Sequence, residues 1–253
     1  MSDILHVSTR NSTLEVTLHR PQARNALSRA LLAELTEVLR AAAGEAGVRC
    51  ILLTGAPPAF CAGLDLREVA ATSADQAEHD ASALLALFEL IDGLTKPVIA
   101  AVNGPAVAGG AGLVSVCDIV LCAKSAVIGY PEIKRGLVAA IVMTYLRRLV
   151  GERRAKYLLL TGENLDADRS VEFGLATEAV ADDALLTRAR EMADLLTGYP
   201  PDAVMNTKAL WARIRAMEHS QAVAEARALN ASMRLTAESR SGVAAFLGNQ
   251  SKK

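Results

Sequence analysis

Two glycine-bearing turns and one glutamate are the residues of this sequence whose types and spacing could do chemistry. The first turn is Phe-Cys-Ala-Gly-Leu-Asp-Leu at 60–66, and the second is Ala-Gly-Gly-Ala-Gly at 108–112. Small residues after a buried strand let the backbone approach a ligand and leave N–H groups unpaired at a helix start. Two such N–H groups aimed at one point would stabilise an oxyanion, each by about 3–4 kcal/mol. Alternatively, the glycines only permit turns and close packing.

The glutamate is Glu132, which ends the step Gly-Tyr-Pro-Glu and precedes the apolar segment 137–142. Apolar surroundings raise the pKa of a carboxyl and suit it to proton transfer near neutral pH. A Pro-Glu step is also common at a helix N-terminus, where a carboxylate interacts favourably with the helix dipole. Taken alone, this residue leaves both roles open.

Other catalytic classes have little support in the sequence. It contains no GxSxG and no GxxxxGK[ST], so neither a serine-based triad nor a phosphate-binding P-loop is predicted. The histidines and cysteines are scattered, at His6, His19, His79, His219, Cys50, Cys61, Cys117 and Cys122. Without HExxH, a two-histidine cluster or CxxC, we expect no metal site and cysteines that are buried thiols.

The elements that must position these groups follow from hydrophobic periodicity. A hairpin is predicted over 4–18 with a turn at 10–12, and Ser28 is the expected N-cap of the first helix. Further strands are predicted at 50–54, 97–102, 118–122 and 127–129, and a helix at about 75–94. From Val138 onward the pattern is helical, with breaks near Gly151, Gly162, Gly174 and Pro200, and the tail after Gly248 is expected to fray. This order predicts an α/β core followed by a helical C-terminal region.

Composition limits the partners. The 253 residues carry a formal net charge of −1 and only 4% aromatic residues, which argues against nucleic acid. The N-terminal residues show neither a basic stretch nor an apolar run, and no apolar segment is long enough to span a membrane. We therefore expect a cytoplasmic protein with no membrane or nucleic-acid partner.

Read together, the motifs resemble those of the crotonase family, the enoyl-CoA hydratases and isomerases. The strings that carry the resemblance occupy 18–27, 60–66, 96–104, 108–113, 117–119, 131–132 and 173–176. The resemblance implies a ββα spiral core over 1–195 and a helical region over 196–253 that forms trimers or pairs of trimers. It also implies an acyl-CoA thioester as substrate, as in fatty acid metabolism, with no cofactor beyond the coenzyme A of the substrate.

The resemblance assigns roles by position. Leu64 and Gly109 would donate the two oxyanion N–H groups, and Glu132 would be the catalytic carboxylate. The coenzyme A would be bound by Arg24, Ala62, Asp65, Leu66, Arg67 and Phe246, the last from this or a neighbouring subunit. Asp118 matches an aspartate with a structural role.

Departures from the family pattern bear on the reaction. Family hydratases carry a second glutamate three residues after the oxyanion glycine, where this chain has Gly112, and Pro-Gly where it has Ala139-Ala140. Hydration shares its proton transfers between two carboxylates, whereas moving a double bond from the 3- to the 2-position needs one. The resemblance therefore favours an isomerase. A hydratase or lyase with a recruited group, and a non-catalytic acyl-CoA-binding protein, are the alternatives.

Overall fold

The computed structural model describes residues 3–250, with side chains for 3–248, so the tail beyond Gln250 lies outside the described residues. The strands are β1 (Leu5–Arg10), β2 (Thr13–Leu18), β3 (Cys50–Gly55), β4 (Val98–Val102), β5 (Ala106–Val107), β6 (Ile119–Ala123), β7 (Val127–Gly129), β8 (Asn164–Asp166) and β9 (Glu178–Val180). The helices are α1 (Arg29–Gly44), α2 (Leu66–Ala70), α3 (Ala74–Gly93), α4 (Gly109–Ser115), α5 (Ala140–Thr161), α6 (Ala167–Phe173), α7 (Leu185–Gly198), α8 (Pro201–Ile214), α9 (His219–Met233) and α10 (Ala237–Gln250). Short 3-10 turns span Pro21–Ala23, Pro131–Arg135 and Asp182–Ala184.

The main sheet has six strands in the order β1-β2-β3-β4-β6-β9. The predicted hairpin is confirmed: β1 and β2 are antiparallel and the chain reverses at Asn11, whose φ is 52°. The other four pairings are parallel. The carboxyl ends of β3 and β4 therefore meet at one edge of the sheet, where the two glycine-bearing turns leave it.

A second sheet of three strands, in the order β5-β7-β8, lies beside the first at this edge. Strand β5 is parallel to β7, with Val107 opposite Gly129. Because β5 leads into α4 and β7 leads into the Pro131–Arg135 turn, this pairing brings the second glycine-bearing turn next to Glu132.

Helices cover the main sheet and complete the core. The hydroxyl oxygen of Ser28 accepts the N–H of Leu31 at 3.2 Å, which confirms it as the N-cap of α1. Helix α1 packs against α3, and α7 packs against β3 and β4. Aliphatic residues dominate this core, and Phe60, Phe88 and Tyr130 are its largest fully buried side chains.

The second half of the chain is less uniformly helical than predicted. The expected breaks are confirmed, since Gly162 and Gly174 end helices in the left-handed conformation and Gly151 interrupts α5 at φ 76°. Strands β8 and β9 were not predicted, because each has three residues and gains its order from a neighbouring strand. The chain turns from α7 into α8 at 198–201, just beyond the expected domain boundary at residue 195.

The C-terminal helix α8 is attached to the core in part through polar contacts. Neither α8 nor α9 has a fully buried residue. Lys208 of α8 reaches Asp118 at 2.6 Å, and the same carboxylate accepts the Val98 N–H at 2.7 Å, which agrees with a structural role for Asp118. Within 3–250, no helix combines the length and apolar character needed to cross a bilayer.

Candidate active site

Most of the residues predicted to bind the substrate or to catalyse the reaction line one cavity of about 1590 Å³. It lies between the two glycine-bearing turns, the helices α2 and α3, and the start of α5. The predicted residues that line it are Arg24, Ala62, Leu64, Asp65, Leu66, Arg67, Gly109 and Glu132. A cavity of this size could hold an extended ligand with an acyl chain.

The Leu64 N–H is free because of how its segment pairs with the preceding one. Leu27 donates to the Gly63 carbonyl at 2.7 Å, and Asp65 donates to the Leu27 carbonyl at 3.1 Å. These bonds form a short parallel bridge in which the Leu64 N–H points away from the partner. Among the described residues it has no acceptor, so it can serve a ligand.

The Gly109 N–H is free because it is the first residue of α4, where N–H groups have no partner within the helix. Ala108 before it is held at φ 53° and ψ −124°, an unusual conformation for a residue with a side chain, and its N–H binds the Gly129 carbonyl at 2.9 Å. Such strain costs about 1–3 kcal/mol and is common at functional sites. It turns the start of α4 toward the first glycine-bearing turn.

The two free N–H groups lie side by side. A Cβ built on Gly109 would be 3.6 Å from the Leu64 nitrogen, and one built on Gly63 would be 2.9 Å from the Gly109 nitrogen. Gly63 has φ 86°, which other residues rarely adopt, so glycine is required at this contact for two reasons. The arrangement can donate two hydrogen bonds to one oxygen atom of a ligand.

Asn25 is a structural residue of the site that the sequence did not single out. Its buried amide donates to carbonyls in the segment 56–60 at 2.7–3.2 Å, and its oxygen accepts the Arg20 N–H at 2.8 Å. The Ala62 N–H binds the Arg24 carbonyl at 3.0 Å. These bonds fix the loop of Arg24 against the turn that carries Leu64.

Glu132 lies at the start of the 3-10 turn Pro131–Arg135, which confirms the interpretation of its Pro-Glu step as a helix start. Burial raises the pKa of its carboxyl, while its own backbone N–H and the charge of Arg135 lower that pKa in part. Its Oε2 atom is buried without a hydrogen-bond partner among the described residues. A carboxylate with an unused oxygen in apolar surroundings is suited to taking and returning a proton.

The two other carboxylates that line the cavity are already engaged. Asp65 binds Arg20 at 2.9 Å through one oxygen and caps α2 with the other, and the Arg20 hydrogen bond lowers its pKa. The Nε and Nη2 atoms of Arg29 each donate a hydrogen bond of 2.7 Å to the Asp80 carboxylate. This contact holds the pKa of Asp80 well below its usual range. Of the carboxylates described in this cavity, only Glu132 therefore has a free oxygen.

The residues predicted to bind coenzyme A divide into two groups. The exposed side chains of Arg24 and Arg67 line the cavity and have no ion-pair partner among the described residues, which leaves them free for phosphates. Phe246 does not line the cavity of its own chain. It lies in α10 with 64% of its side chain exposed, so a role in this site would have to come from another copy.

The histidines and cysteines stay outside the cavity lining. Although they are scattered in the sequence, two of the histidines meet in the structure: the rings of His6 and His19 stack with centroids 3.8 Å apart. His6 lies opposite Thr17 in the hairpin, so His19, two residues further, projects from the same face. Within the described part of the chain, no group of three or more potential ligands could hold a metal ion. Burial raises the pKa of Cys61 to about 12, so this thiol stays protonated.

The sequence of this chain belongs to a known family. The profile for enoyl-CoA hydratase/isomerase matches residues 8–252, and the chain therefore belongs to the enoyl-CoA hydratase/isomerase family. Members of this family act on acyl-CoA thioesters. The predicted crotonase-type α/β fold with a helical C-terminal region is confirmed by solved structures.

Three comparisons show the extent of the similarity. A crystal structure of an enoyl-CoA hydratase from Mycobacterium smegmatis has a TM-score of 0.95 at 34% identity, covering 98% of this chain and 97% of that one. A 2,3-dehydroadipyl-CoA hydratase of Escherichia coli is 33% identical, over 98% of this chain and 96% of that protein. A carnitinyl-CoA dehydratase of Proteus mirabilis is 36% identical, over 83% and 81%. These relatives are named for adding or removing water.

Proposed function

We propose that this chain isomerises an enoyl-CoA thioester, moving the double bond from the 3- to the 2-position with Glu132 as the single acid–base group. The observation that carries the proposal is that Glu132 is the only described carboxylate in the cavity with a free oxygen. The raised pKa of Glu132 supports the same role, because an acid–base group works best with a pKa near the working pH.

The proposed reaction uses the two N–H groups and the carboxylate in turn. The thioester oxygen accepts hydrogen bonds from Leu64 and Gly109, which stabilise negative charge on that oxygen. Glu132 takes a proton from the α-carbon, and the electrons spread over a dienolate. The protonated Glu132 then gives its proton to the γ-carbon, leaving the double bond conjugated with the thioester. Coenzyme A enters only as part of the substrate, and in this proposal Arg24 and Arg67, which line the cavity, bind its phosphates.

The test is the rate at which Glu132→Gln converts a 3-enoyl-CoA into its conjugated 2-enoyl isomer, followed by the rise in absorbance. Losing one acid–base group should lower kcat about 100- to 10,000-fold. Glu37→Gln is a matched control, because this exposed glutamate of α1 lies outside the cavity. Unchanged turnover by Glu132→Gln, or binding of the thioester without turnover by the wild type, would refute the proposal.

Hydration of a 2-enoyl-CoA is the second candidate, favoured by the names of the relatives. It would need a second acid–base group, and neither Asp65 nor Asp80 has a free oxygen to offer. Asp118 does not line the cavity and is bound to Lys208. Steady loss of conjugated absorbance from crotonyl-CoA, faster than isomerisation of the 3-enoyl substrate, would favour hydration.

A further inference from the structure

Position 112 is the nearest place on α4 for a second acid–base side chain. It lies one helical turn after Gly109, so a side chain there would project from the same face and tilt toward the free Gly109 N–H. The residue is glycine, and it is fully enclosed. What surrounds it therefore decides whether any side chain could stand at this position.

The space beside Gly112 is filled by Phe88 of α3 and Val142 of α5. A Cβ built on Gly112 would lie 2.5 Å from the Phe88 Cζ, 2.7 Å from its Cε2 and 2.9 Å from a Val142 methyl. Real Cβ atoms do not approach other atoms so closely, so even alanine requires the ring to move. Phe88 has no exposed surface, so moving the ring displaces side chains that pack around it.

The Phe88 ring is held in this place by its neighbours. It meets the ring of Tyr145 edge to face, with centroids 5.9 Å apart. Val142 on one side and Leu84, one turn earlier in α3, line the cavity, whereas Phe88 and Gly112 do not. The Phe88 ring thus lies between α4 and the side chains that line the cavity, and it fills the space between them.

Resting on the isomerase function proposed above, we infer that Phe88 is a specificity-determining residue. Its ring occupies the volume that a second carboxylate at position 112, and the water it would activate, must have. With that volume filled, Glu132 is left as the one proton carrier beside the thioester. A second carboxylate at position 112 is therefore excluded by the packing of three helices, α3, α4 and α5. Introducing one requires a change on α3, to remove the Phe88 ring, as well as a change on α4.

The test is to open the space and fill it with a carboxylate. The double variant Phe88→Ala/Gly112→Glu should hydrate crotonyl-CoA, seen as loss of conjugated absorbance. Its matched control is Phe88→Ala/Gly112→Gln, which has the same size without the acid–base group. We expect the glutamate variant to hydrate at least about 100-fold faster than the glutamine variant. Equal rates in two folded variants that bind the thioester would overturn the inference, as would equal hydration by Gly112→Glu alone.

A second measurement tests the packing without relying on activity. Gly112→Ala should lower Tm when Phe88 is present, because the added methyl group meets the ring. In the Phe88→Ala background, the two contacts with the ring are gone and only the Val142 methyl remains close, so the same change should lower Tm by less. Additive shifts in the two backgrounds would overturn the inference even if the glutamate variants fail to fold.

The outcomes for Phe88 can be told apart from those for the proposed function. If wild-type protein does not isomerise a 3-enoyl-CoA, the proposed function fails whatever the double variants do. If wild-type protein isomerises but Phe88→Ala/Gly112→Glu gains no hydration over its glutamine control, only the role of Phe88 fails.

Discussion

Glu132 is a carboxyl that is costly to ionise in place, because burial raises its pKa. The carboxylate is the form that can accept the α-proton. We therefore expect kcat/KM to rise with pH through the free-enzyme pKa of Glu132, with its midpoint above 4.5, the ordinary glutamate value. A pH profile with a 3-enoyl-CoA substrate measures this midpoint.

The raised pKa of Glu132 should make stability fall as pH rises, whereas kcat/KM should increase. The folded protein holds the Glu132 proton to a higher pH than the unfolded chain, so the contribution of this group is present at low pH and lost as pH rises through the folded-state pKa. Glu132→Gln cannot ionise and should be more stable than wild type above that pKa, with the difference shrinking toward about pH 4. Urea denaturation of both proteins over a pH series measures it. A difference independent of pH, or a kcat/KM midpoint at or below 4.5, would contradict the assignment.

At the scale of elements, helix α4 and the segment that holds Glu132 are joined by a buried hydrogen bond. Ser115 at the end of α4 lies 2.9 Å from the Tyr130 hydroxyl, and the Ser115 hydroxyl also donates to the Ala111 carbonyl at 2.8 Å. Since a serine has one proton to give, Tyr130 is the donor between the two side chains. Together with the β5–β7 pairing, this bond fixes α4 relative to the turn that holds Glu132.

This donor order predicts unequal effects of removing the two partners. Ser115→Ala leaves the buried Tyr130 O–H without an acceptor and should lower the free energy of unfolding by about 1–3 kcal/mol. Tyr130→Phe removes the donor, leaves Ser115 bound to Ala111, and should cost about 1 kcal/mol. In the double variant, the cost should be less than the sum. Urea denaturation of the three variants measures this cycle, and a larger loss for Tyr130→Phe would reverse the assigned donor.

How far the sequence predicted these elements depended on the kind of signal each one carries. The hairpin, the Ser28 cap and the buried strands β3 and β4 were predictable, because local periodicity and turn residues specify them. Strands β8 and β9 were not, since three-residue strands depend on the neighbours they pair with. The stacking of His6 on His19 was missed for a related reason, because it depends on cross-strand register.

The site shows the same division. The turns around Leu64 and Gly109 were found from their glycines, and Glu132 from its position before an apolar segment. Phe88 was recognisable only as an apolar position of α3, because its contact with Gly112 joins residues on separate helices. The family resemblance indicated that a second glutamate is missing, and only the structure shows that Phe88 and Val142 lie within 3 Å of where its Cβ would stand.

At the scale of the whole molecule, the C-terminal helices expose apolar surface that the single chain does not cover. The exposed side chains include Trp211, Val223, Leu235, Val243, Phe246 and Leu247, with 51–69% of each accessible. Apolar side chains grouped on unburied helices are typical of surfaces that meet another protein. The trimer, or pair of trimers, implied by the family resemblance stays a prediction; in such an assembly this surface would meet a neighbouring copy, and Phe246 would have a route to the cavity of that copy.

The role of Phe246 can be tested with substrates that contain or lack the nucleotide it would touch. If Phe246 stacks on the adenine of coenzyme A bound in another copy, Phe246→Ala should raise KM for an enoyl-CoA roughly 5- to 150-fold, the range for loss of one base–aromatic contact. The same variant should leave KM unchanged for the pantetheine thioester, which lacks the nucleotide. Val243→Ala, an exposed change one turn earlier in α10, is the matched control. Equal effects on both thioesters, or none on either, would contradict a role of Phe246 in nucleotide binding.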